Sequence, residues 1–265
     1  MIKEIFDRIY YSYLMPSRLS EYEQIIVEAK KNGYIHLSIR DLIEIILEKK
    51  DIPDKIFVHR HDIDTNIRTA KKMFKIEQQY GIKASYYFRL STLDFNFMIE
   101  IEEYGSEASY HFEEIATFAK REHIKNETDL LKNLRIIQEE FLKNLRWIEN
   151  RLGKKIITVA SHGDFANRKL KVNNYEILKD PYFRKRCGIK CESYDENIMK
   201  LFDIKISDKP YPIFYSPISV FDAIREGKKH IFFLSHPQHW EVNIIEATRE
   251  NIKRFYEGLF MKIIS

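Results

Sequence analysis

The segment from Phe57 to Asp64 reads Phe-Val-His-Arg-His-Asp-Ile-Asp, an apolar start that gives way to charged and metal-binding residue types. Asp62 and Asp64 are two residues apart, so on a strand their carboxylates point to the same side. Two such groups repel each other unless a cation or a shared proton lies between them. The spacing therefore predicts a cation or proton site. In the simpler interpretation, Asp64 caps a helix that begins near Asn66.

Polar side chains also follow the other predicted strands, at the point where each strand ends. The residues concerned are Arg89, His111, Glu113, His162, Asp208 and His236. In a (β/α) barrel the active groups gather at the carboxyl ends of the strands. The pattern predicts that these side chains share one pocket with Asp62 and Asp64.

The residue types at this predicted pocket suit metal-assisted hydrolysis. Asp62, Asp64 and His111 offer two oxygens and one nitrogen, a donor set that suits Zn²⁺, Mn²⁺, Co²⁺ or Fe²⁺. A divalent ion lowers the pKa of bound water, and a carboxylate that is not a ligand can take the proton. The imidazole of His236 titrates near neutral pH and can protonate a leaving group.

Strands and helices alternate along the chain in a way that predicts an α/β fold with a largely parallel sheet. Helices are predicted over Ile67 to Tyr80, Phe95 to Tyr104 and Glu127 to Leu152, the last with Asn126 as its cap. Between residues 163 and 203 polar and apolar positions hold no single period. The predicted strands are Tyr34 to Leu37, Ile56 to Arg60, Ala84 to Phe88, Glu107 to His111, Ile156 to Ala160, Ile204 to Ser207 and Ile231 to Ser235.

Composition narrows the class of protein. The 265 residues carry a net charge of +4, from 44 basic and 40 acidic residues without a basic stripe, which argues against a nucleic-acid partner. The two cysteines, Cys187 and Cys191, do not make a structural zinc site by themselves. The start is charged and no apolar run reaches membrane-spanning length, so we expect a cytoplasmic protein with no transmembrane segment. Its oligomeric state stays open.

Four motifs together resemble a known family. They are Arg60-His61-Asp62-Ile63-Asp64, Glu107-Ala-Ser-Tyr-His111, Ile206-Ser-Asp208 and Leu234-Ser-His236-Pro237. Their order and spacing resemble a divergent polysaccharide deacetylase, a carbohydrate esterase of the branch whose first motif reads His-Asp-x-Asp, associated with bacterial surface-polysaccharide synthesis.

The resemblance implies a distorted (β/α) barrel of about seven strands that removes N- or O-acetyl groups from sugars. It also implies a divalent metal, with zinc expected first and manganese, cobalt or iron as alternatives. We expect a single domain over residues 1–265: N-terminal helices and a strand over 1–55, a deacetylase-like core over 56–240, and a C-terminal helix over 241–265.

Site roles follow from the same resemblance. Asp62 matches the catalytic base and Asp64 the metal-binding aspartate. His111 matches the first metal histidine and His236 the catalytic acid. Asp208 falls where the family has a residue that orients the acid or the base.

The chain also departs from the family pattern. Ile115 occupies the position of the second metal histidine, so the third ligand must come from Glu113, Glu114 or His162, or be absent. The Arg-Pro-rich third motif is replaced by Ala160-Ser-His162-Gly163, and one extra residue between Asp62 and Asp64 leaves their roles exchangeable. Two alternatives follow: an inactive relative that binds a glycan or a partner enzyme, and a hydrolase of cyclic amides or phosphoesters.

Four residues are candidates for binding the carbohydrate substrate. Arg60 and Arg89 either hold an anionic group of the substrate or neutralise the neighbouring acids. His239 and Trp240 either line a platform for a sugar or pack locally.

Overall fold

The protein is organised around one curled sheet whose strands are mostly parallel. The computed structural model describes residues 2–253, apart from the side chain of Ile2. The strands are β1 Ile35–Leu37, β2 Ile56–Ile63, β3 Ser85–Phe88, β4 Glu107–Phe112, β5 Thr158–Ser161, β6 Cys191–Glu192, β7 Ile204–Asp208, β8 Tyr215–Ser216 and β9 His230–Ser235.

The order across the sheet is β6-β5-β4-β3-β2-β9-β7-β8, and β1 pairs with β2 beside this path. All neighbouring pairs are parallel except β7 with β8. Strand β2 is central: its first half pairs with β1, its second half with β3, and β9 runs along its other side. The carboxyl ends of the parallel strands therefore lie on one rim.

Helices cover the sheet and connect successive strands. They are α1 Ile2–Ile9, α2 Leu19–Lys31, α3 Ile39–Leu47, α4 Ile67–Tyr80, α5 Phe95–Tyr104, α6 Glu114–Arg121, α7 Glu127–Lys132, α8 Leu134–Leu152, α9 Phe165–Leu170, α10 Pro181–Cys187, α11 Glu196–Met199 and α12 Val220–Arg225. A π-helical turn continues α1 over Tyr10–Leu14, and residues 244–253 are also helical.

The hydrophobic core lies between the sheet and this helical layer. Phe112, Phe141 and Ile148 belong to the largest buried cluster, which joins β4 to α8. None of the helices within residues 2–253 is long and apolar enough to cross a membrane.

The predicted barrel of about seven strands is wrong in strand number and in closure. The sheet has nine strands, and among the described residues its edge strands β6 and β8 are not paired with each other. Strand β6 has only two residues and β8 runs antiparallel, so neither extends the parallel ladder around a full circle. The α/β class with a largely parallel sheet is confirmed.

Two predicted helices need separate comment. The helix predicted over Glu127 to Leu152 is divided at Asn133 into α7 and α8. The helix predicted over 241–265 is observed over 244–253, and residues 254–265 lie outside the described residues. The division of the chain into 1–55, 56–240 and 241–265 stays a prediction.

Candidate active site

The polar residues predicted to follow the strands lie at the carboxyl ends of five parallel strands. Asp62 is the penultimate residue of β2, and Asp64 comes directly after that strand. His111 lies in β4, and His162 follows β5. Asp208 ends β7 and His236 follows β9. The parallel sheet brings these side chains to one rim, as the sequence predicted.

Three of these side chains meet around one carboxylate oxygen. Oδ1 of Asp64 lies 3.5 Å from Nε2 of His111 and 3.5 Å from Nε2 of His162. That oxygen is buried and has no hydrogen-bond partner. Tetrahedral ligands at about 2.1 Å from zinc lie about 3.4 Å apart, so the spacing fits one ion. Asp64, His111 and His162 therefore fit a divalent metal.

The tautomer of His111 supports the same conclusion. Its Nδ1–H donates to the carbonyl oxygen of Ala160 at 2.9 Å, so the neutral ring has its lone pair on Nε2. That lone pair faces Oδ1 of Asp64 and also Oδ2 of Asp62 at 3.3 Å. An acceptor nitrogen among carboxylate oxygens is unfavourable until a cation or a proton lies between them. The hydrogen bond to Ala160 is the kind of outer contact that orients metal-binding histidines.

Asp62 is held by an arginine from its own strand. Nε and Nη2 of Arg60 each donate to one of its carboxylate oxygens at 2.8 Å, and the Arg60 side chain is fully buried. Burial alone would raise the pKa of Asp62, but Arg60, His111 and His236 lower it overall. Asp62 is therefore an oriented carboxylate. Of the two predicted roles for Arg60, the structure shows neutralisation of an acid; no solvent-exposed part of its side chain is left to meet a substrate.

Glu113 approaches His162 from the other side of the ring. Its Oε2 lies 3.4 Å from Nδ1 of His162, whereas Asp64 faces Nε2. Both carboxylate oxygens of Glu113 accept from Arg89, at 3.1 and 2.6 Å. Burial would raise the pKa of Glu113, but His162 and Arg89 lower it to about 2. Glu113 and Arg89 thus form a charged pair beside His162, rather than facing Asp64.

A second group of polar side chains surrounds Asp208. Nδ1–H of His236 donates to Oδ1 of Asp208 at 2.7 Å, and the backbone N–H of His236 donates to Oδ2 at 2.7 Å. Nε1–H of Trp240 also donates to Oδ2, at 3.1 Å. Burial would lower the pKa of His236, but Asp208 raises it to about 9. His236 is therefore protonated at neutral pH.

The sequence left open whether His239 and Trp240 bind a sugar or pack locally. Trp240 is fully buried and packs on Tyr22, which agrees with local packing and leaves no ring face for a sugar. His239 is partly exposed, with Nδ1 2.9 Å from Oδ1 of Asp208. Asp208, His236 and His239 are close enough to hold an ion together. However, both oxygens of Asp208 already accept hydrogen bonds, from His236 and Trp240, unlike Oδ1 of Asp64.

Several features of the site were not foreseen from the sequence. Asp64 does not cap the following helix; Asn66 does, with its side chain accepting from the backbone N–H of Thr69. Ile115 is buried in the core, and of the three candidates for a third ligand it is His162 that faces Oδ1 of Asp64. The signal for the Arg60–Asp62 pair was their two-residue spacing, which places both on one face of β2.

A groove of about 780 Å³ leads away from the candidate metal centre. Asp64, Arg89 and His162 line it, together with Asp7 and Arg8 of α1 and with residues from 241–253. A cleft of this size accommodates ligands larger than a single sugar.

Comparison with known proteins gives a distant structural likeness. No protein-family model matches the chain, and no curated protein matches it. Among solved structures, the Streptococcus pyogenes deacetylase PplD in complex with acetate is similar over 56% of this chain, with a TM-score of 0.41 and 15% sequence identity. The matched region spans 65% of the length of PplD.

Proposed function

We propose that this protein is a metal-dependent hydrolase that removes an acetyl group, from nitrogen or oxygen, from a sugar of a surface-polysaccharide precursor. One observation carries the proposal: the buried, unpartnered Oδ1 of Asp64 faces Nε2 of both His111 and His162. The carbohydrate substrate and its place in surface-polysaccharide synthesis come from the motif resemblance, as does the cytoplasmic location.

Asp64, His111 and His162 are the residues that would hold the ion, with zinc as the first expectation. When bound at such a site, a divalent ion lowers the pKa of water and polarises an acyl carbonyl. Glu113 then orients His162 through Nδ1, which is the common outer contact of a metal-binding histidine. In this proposal Glu113 is not a ligand.

Asp62 and His236 carry the two proton transfers. Asp62 takes a proton from water as the water oxygen bonds to the acetyl carbon, and Arg60 keeps this carboxylate ionised and in place. His236 gives its proton to the sugar nitrogen or oxygen as the bond from that atom to the acetyl carbon breaks. The products are acetate and a free amine or hydroxyl. Asp208 fixes the orientation of His236 and keeps it protonated.

The alternative of an inactive relative rested on the missing ligand at Ile115 and on the lost Arg-Pro motif, and the position of His162 bears on the first of these. His162 supplies a nitrogen at the required spacing, so the first observation no longer favours that alternative. A buried, ionised Asp62 beside a protonated His236 is also costly to keep in a protein that only binds a glycan.

The proposal is tested by measuring acetate release from N-acetylated and O-acetylated sugars by the zinc-loaded protein. We expect Asp62→Asn and His236→Gln each to lower the rate by roughly a hundredfold or more, the usual contribution of a general base or acid. Glu100→Gln, an exposed change on α5, is the control and should leave the rate unchanged. Failure of the metal-loaded protein to release acetate from any of these sugars would refute the proposal.

A further inference from the structure

Three hydrogen-bonded side chains, Glu77, His61 and Ser235, lie behind the rim that carries the proposed base and acid, and we call them the buried triad. Nε2 of His61 lies 2.7 Å from Oε1 of Glu77, and Nδ1 of His61 lies 2.6 Å from Oγ of Ser235. A carboxylate, an imidazole and a hydroxyl in this order also make up the nucleophile triads of hydrolases. Here all three side chains are fully buried, so a substrate cannot reach Ser235 and it is not a nucleophile.

The buried triad joins two strands at the residues that directly precede the base and the acid. His61 of β2 pairs in register with Ser235 of β9. Asp62 follows His61, and His236 follows Ser235 with its backbone still extended. Because side chains alternate along a strand, the base and the acid point to the opposite face of the sheet from the buried triad. The bond between His61 and Ser235 is therefore one residue behind the base and the acid.

Side chains from two further elements hold the carboxylate of the buried triad in place. Oε1 of Glu77 also accepts from the hydroxyl of Tyr22 in α2 at 2.5 Å, and Oε2 accepts from the hydroxyl of Tyr86 in β3 at 2.6 Å. Both tyrosines are fully buried, and burial together with Glu77 raises the pKa of each hydroxyl well above its ordinary value. The two hydroxyls therefore stay donors, and they fix the direction of the Glu77 carboxylate.

Burial restrains the position of the His61 ring. A fully buried carboxylate is costly unless it is hydrogen-bonded and paired. Among the ion pairs of residues 2–253, Glu77 takes part in the one with His61. Moving the His61 ring away would leave this carboxylate without its partner. Because Ser235 is bonded to the other nitrogen of the same ring, the end of β9 is restrained relative to the end of β2.

The proposed reaction depends on the distance between Asp62 and His236. The acetyl group has to fit between the carboxylate and the imidazole, and a misplacement of about 1 Å can lower a rate by roughly a hundredfold. Arg60, also on β2, holds Asp62, and Asp208 of β7 holds His236. Neither of these side-chain contacts joins β2 to β9, whereas the bond between His61 and β9 does.

We propose that the buried triad sets the distance between the base and the acid of the proposed reaction. The inference rests on the proposed function, which assigns these two roles to Asp62 and His236. The members of the triad act through the strand backbone and not by contact with the substrate, so they are positioning residues. Loss of the triad lowers the rate of the proton transfers and leaves the binding of substrate and of zinc unchanged.

The test compares steady-state acetate release by zinc-loaded variants at Ser235. We expect Ser235→Ala to lower kcat about tenfold at unchanged KM and zinc content, because it removes the partner of Nδ1 of His61. Ser235→Thr keeps a hydroxyl at this position and should restore most of kcat. Ser85→Ala is the matched control and should keep the full kcat. Ser85 is also a fully buried strand serine, and its hydroxyl donates to the buried carboxylate of Glu107 at the amino end of β3.

Nuclear magnetic resonance titration of labelled histidine supplies a readout that needs no hydrolysis. Burial lowers the pKa of His236, whereas Asp208 and, more weakly, Asp62 raise it. The midpoint of His236 should therefore fall in Ser235→Ala, where Asp62 is held less closely, and stay unchanged in Ser85→Ala. A lower global stability does not move this midpoint in the folded protein.

An unchanged midpoint of His236 in Ser235→Ala would overturn the inference. An equal loss of kcat in Ser235→Ala and Ser235→Thr would overturn it as well, because the hydroxyl would then have no part in the effect. A fall of the midpoint in a protein that releases no acetate would support the positioning of the two side chains and refute the proposed hydrolysis.

Discussion

At the scale of single residues, His162 is the side chain that decides whether a metal site exists. Asp64 and His111 alone offer two donors, and Ile115, where the motif resemblance led us to look for a histidine, is a buried core residue. His162 completes the set with its Nε2, 3.5 Å from Oδ1 of Asp64. Its other nitrogen faces Glu113, which fixes the direction of the ring.

We therefore expect His162→Ala to lower zinc affinity by at least a hundredfold, because a three-donor site becomes a two-donor site. Zinc content after equilibrium dialysis measures this directly. His239→Ala is the discriminating control, since His239 belongs to the Asp208 group. Loss of zinc in His239→Ala, with zinc retained in His162→Ala, would place the ion at the wrong group for the proposed chemistry.

The protonation of His236 gives a second prediction at this scale. Its pKa of about 9 lies above the ordinary value of 6.5 because Asp208 outweighs the effect of burial. A raised pKa means that protonation favours the folded state: this contribution to stability is complete below about pH 6.5 and is lost as the pH rises through about 9.

In Asp208→Asn the largest stabilising charge is gone while burial remains, so the midpoint of His236 should fall from about 9, although Asp64 and Asp62 still oppose the fall. Nuclear magnetic resonance titration of labelled histidine measures this midpoint, and the alkaline limb of the rate profile should move with it. An unchanged midpoint in the variant would show that Asp208 does not set the protonation of His236.

The sequence predicted which residues gather at the site better than it predicted their contacts. Asp62, Asp64, His111, Asp208 and His236 follow strands, and the carboxyl ends of parallel strands share a rim, so their gathering could be anticipated. The choice between Glu113 and His162 could not, because it depends on which ring nitrogen each carboxylate faces. That direction is set by contacts between residues far apart in the chain.

At the scale of elements, the helices with clear end signals were predicted best. The bounds of α4 and α5 agree with the prediction because Gly81 and Gly105 end them in the left-handed conformation, with φ of 63° and 95°. The division between α7 and α8 was missed, since the apolar stripe from Leu130 to Ile137 continues across Asn133. There the Asn133 side chain donates to the carbonyl of Asp129 and ends the first helix.

Residues 163–203 could not be assigned from periodicity, and the structure shows the reason. Helices α9, α10 and α11 have six, seven and four residues, and strand β6 has two. A hydrophobic period becomes visible only over about 11 residues or more. Short elements of this kind are fixed by packing against the rest of the protein.

The start of α6 provides a stability prediction. Glu114 is buried there and accepts hydrogen bonds from Tyr110 and from Asn144, while its Oε2 has no partner. Burial raises the pKa of Glu114 from 4.5 to about 7. For this acid the protonated form favours folding, so the contribution of Glu114 to stability is most favourable below about pH 4.5 and is lost as the pH rises through about 7.

Glu114→Gln should remove this decrease, because the amide stays neutral. Each unit of pKa shift corresponds to about 1.36 kcal/mol. At pH 8 the free energy of unfolding of the variant should therefore exceed that of the wild type by about 3 kcal/mol, whereas at pH 4 the two should differ little. Urea unfolding at both pH values measures the difference. An equal effect at the two pH values would mean that packing, and not ionisation, accounts for it.

At the scale of the whole molecule, segments far apart in sequence line the groove beside the candidate metal centre. Residues of α1 and of 241–253 face each other across it, and Asn251 joins them. Its Oδ1 accepts from Arg8, and its Nδ2 donates to the hydroxyl of Tyr13 at 3.1 Å. These segments lie outside the region that carries the four motifs, so under the proposed function they would contact the sugar chain without contributing to the proton transfers.

Asn251→Ala should therefore affect long substrates selectively. The variant loses the hydrogen bonds that hold residues 241–253 against α1. If this costs about 1 kcal/mol of binding free energy, KM for an acetylated tetrasaccharide should rise roughly fivefold. A monosaccharide needs to contact only the candidate metal centre at Asp64 and His162, so its kcat/KM should stay unchanged. The zinc content should stay unchanged as well. Asn96→Ala, exposed on α5, is the control for a surface asparagine. An equal loss of kcat/KM for both substrates would show that Asn251 supports the residues at the metal centre. In that case α1 and residues 241–253 would belong to the catalytic site and would not serve only to bind the sugar chain.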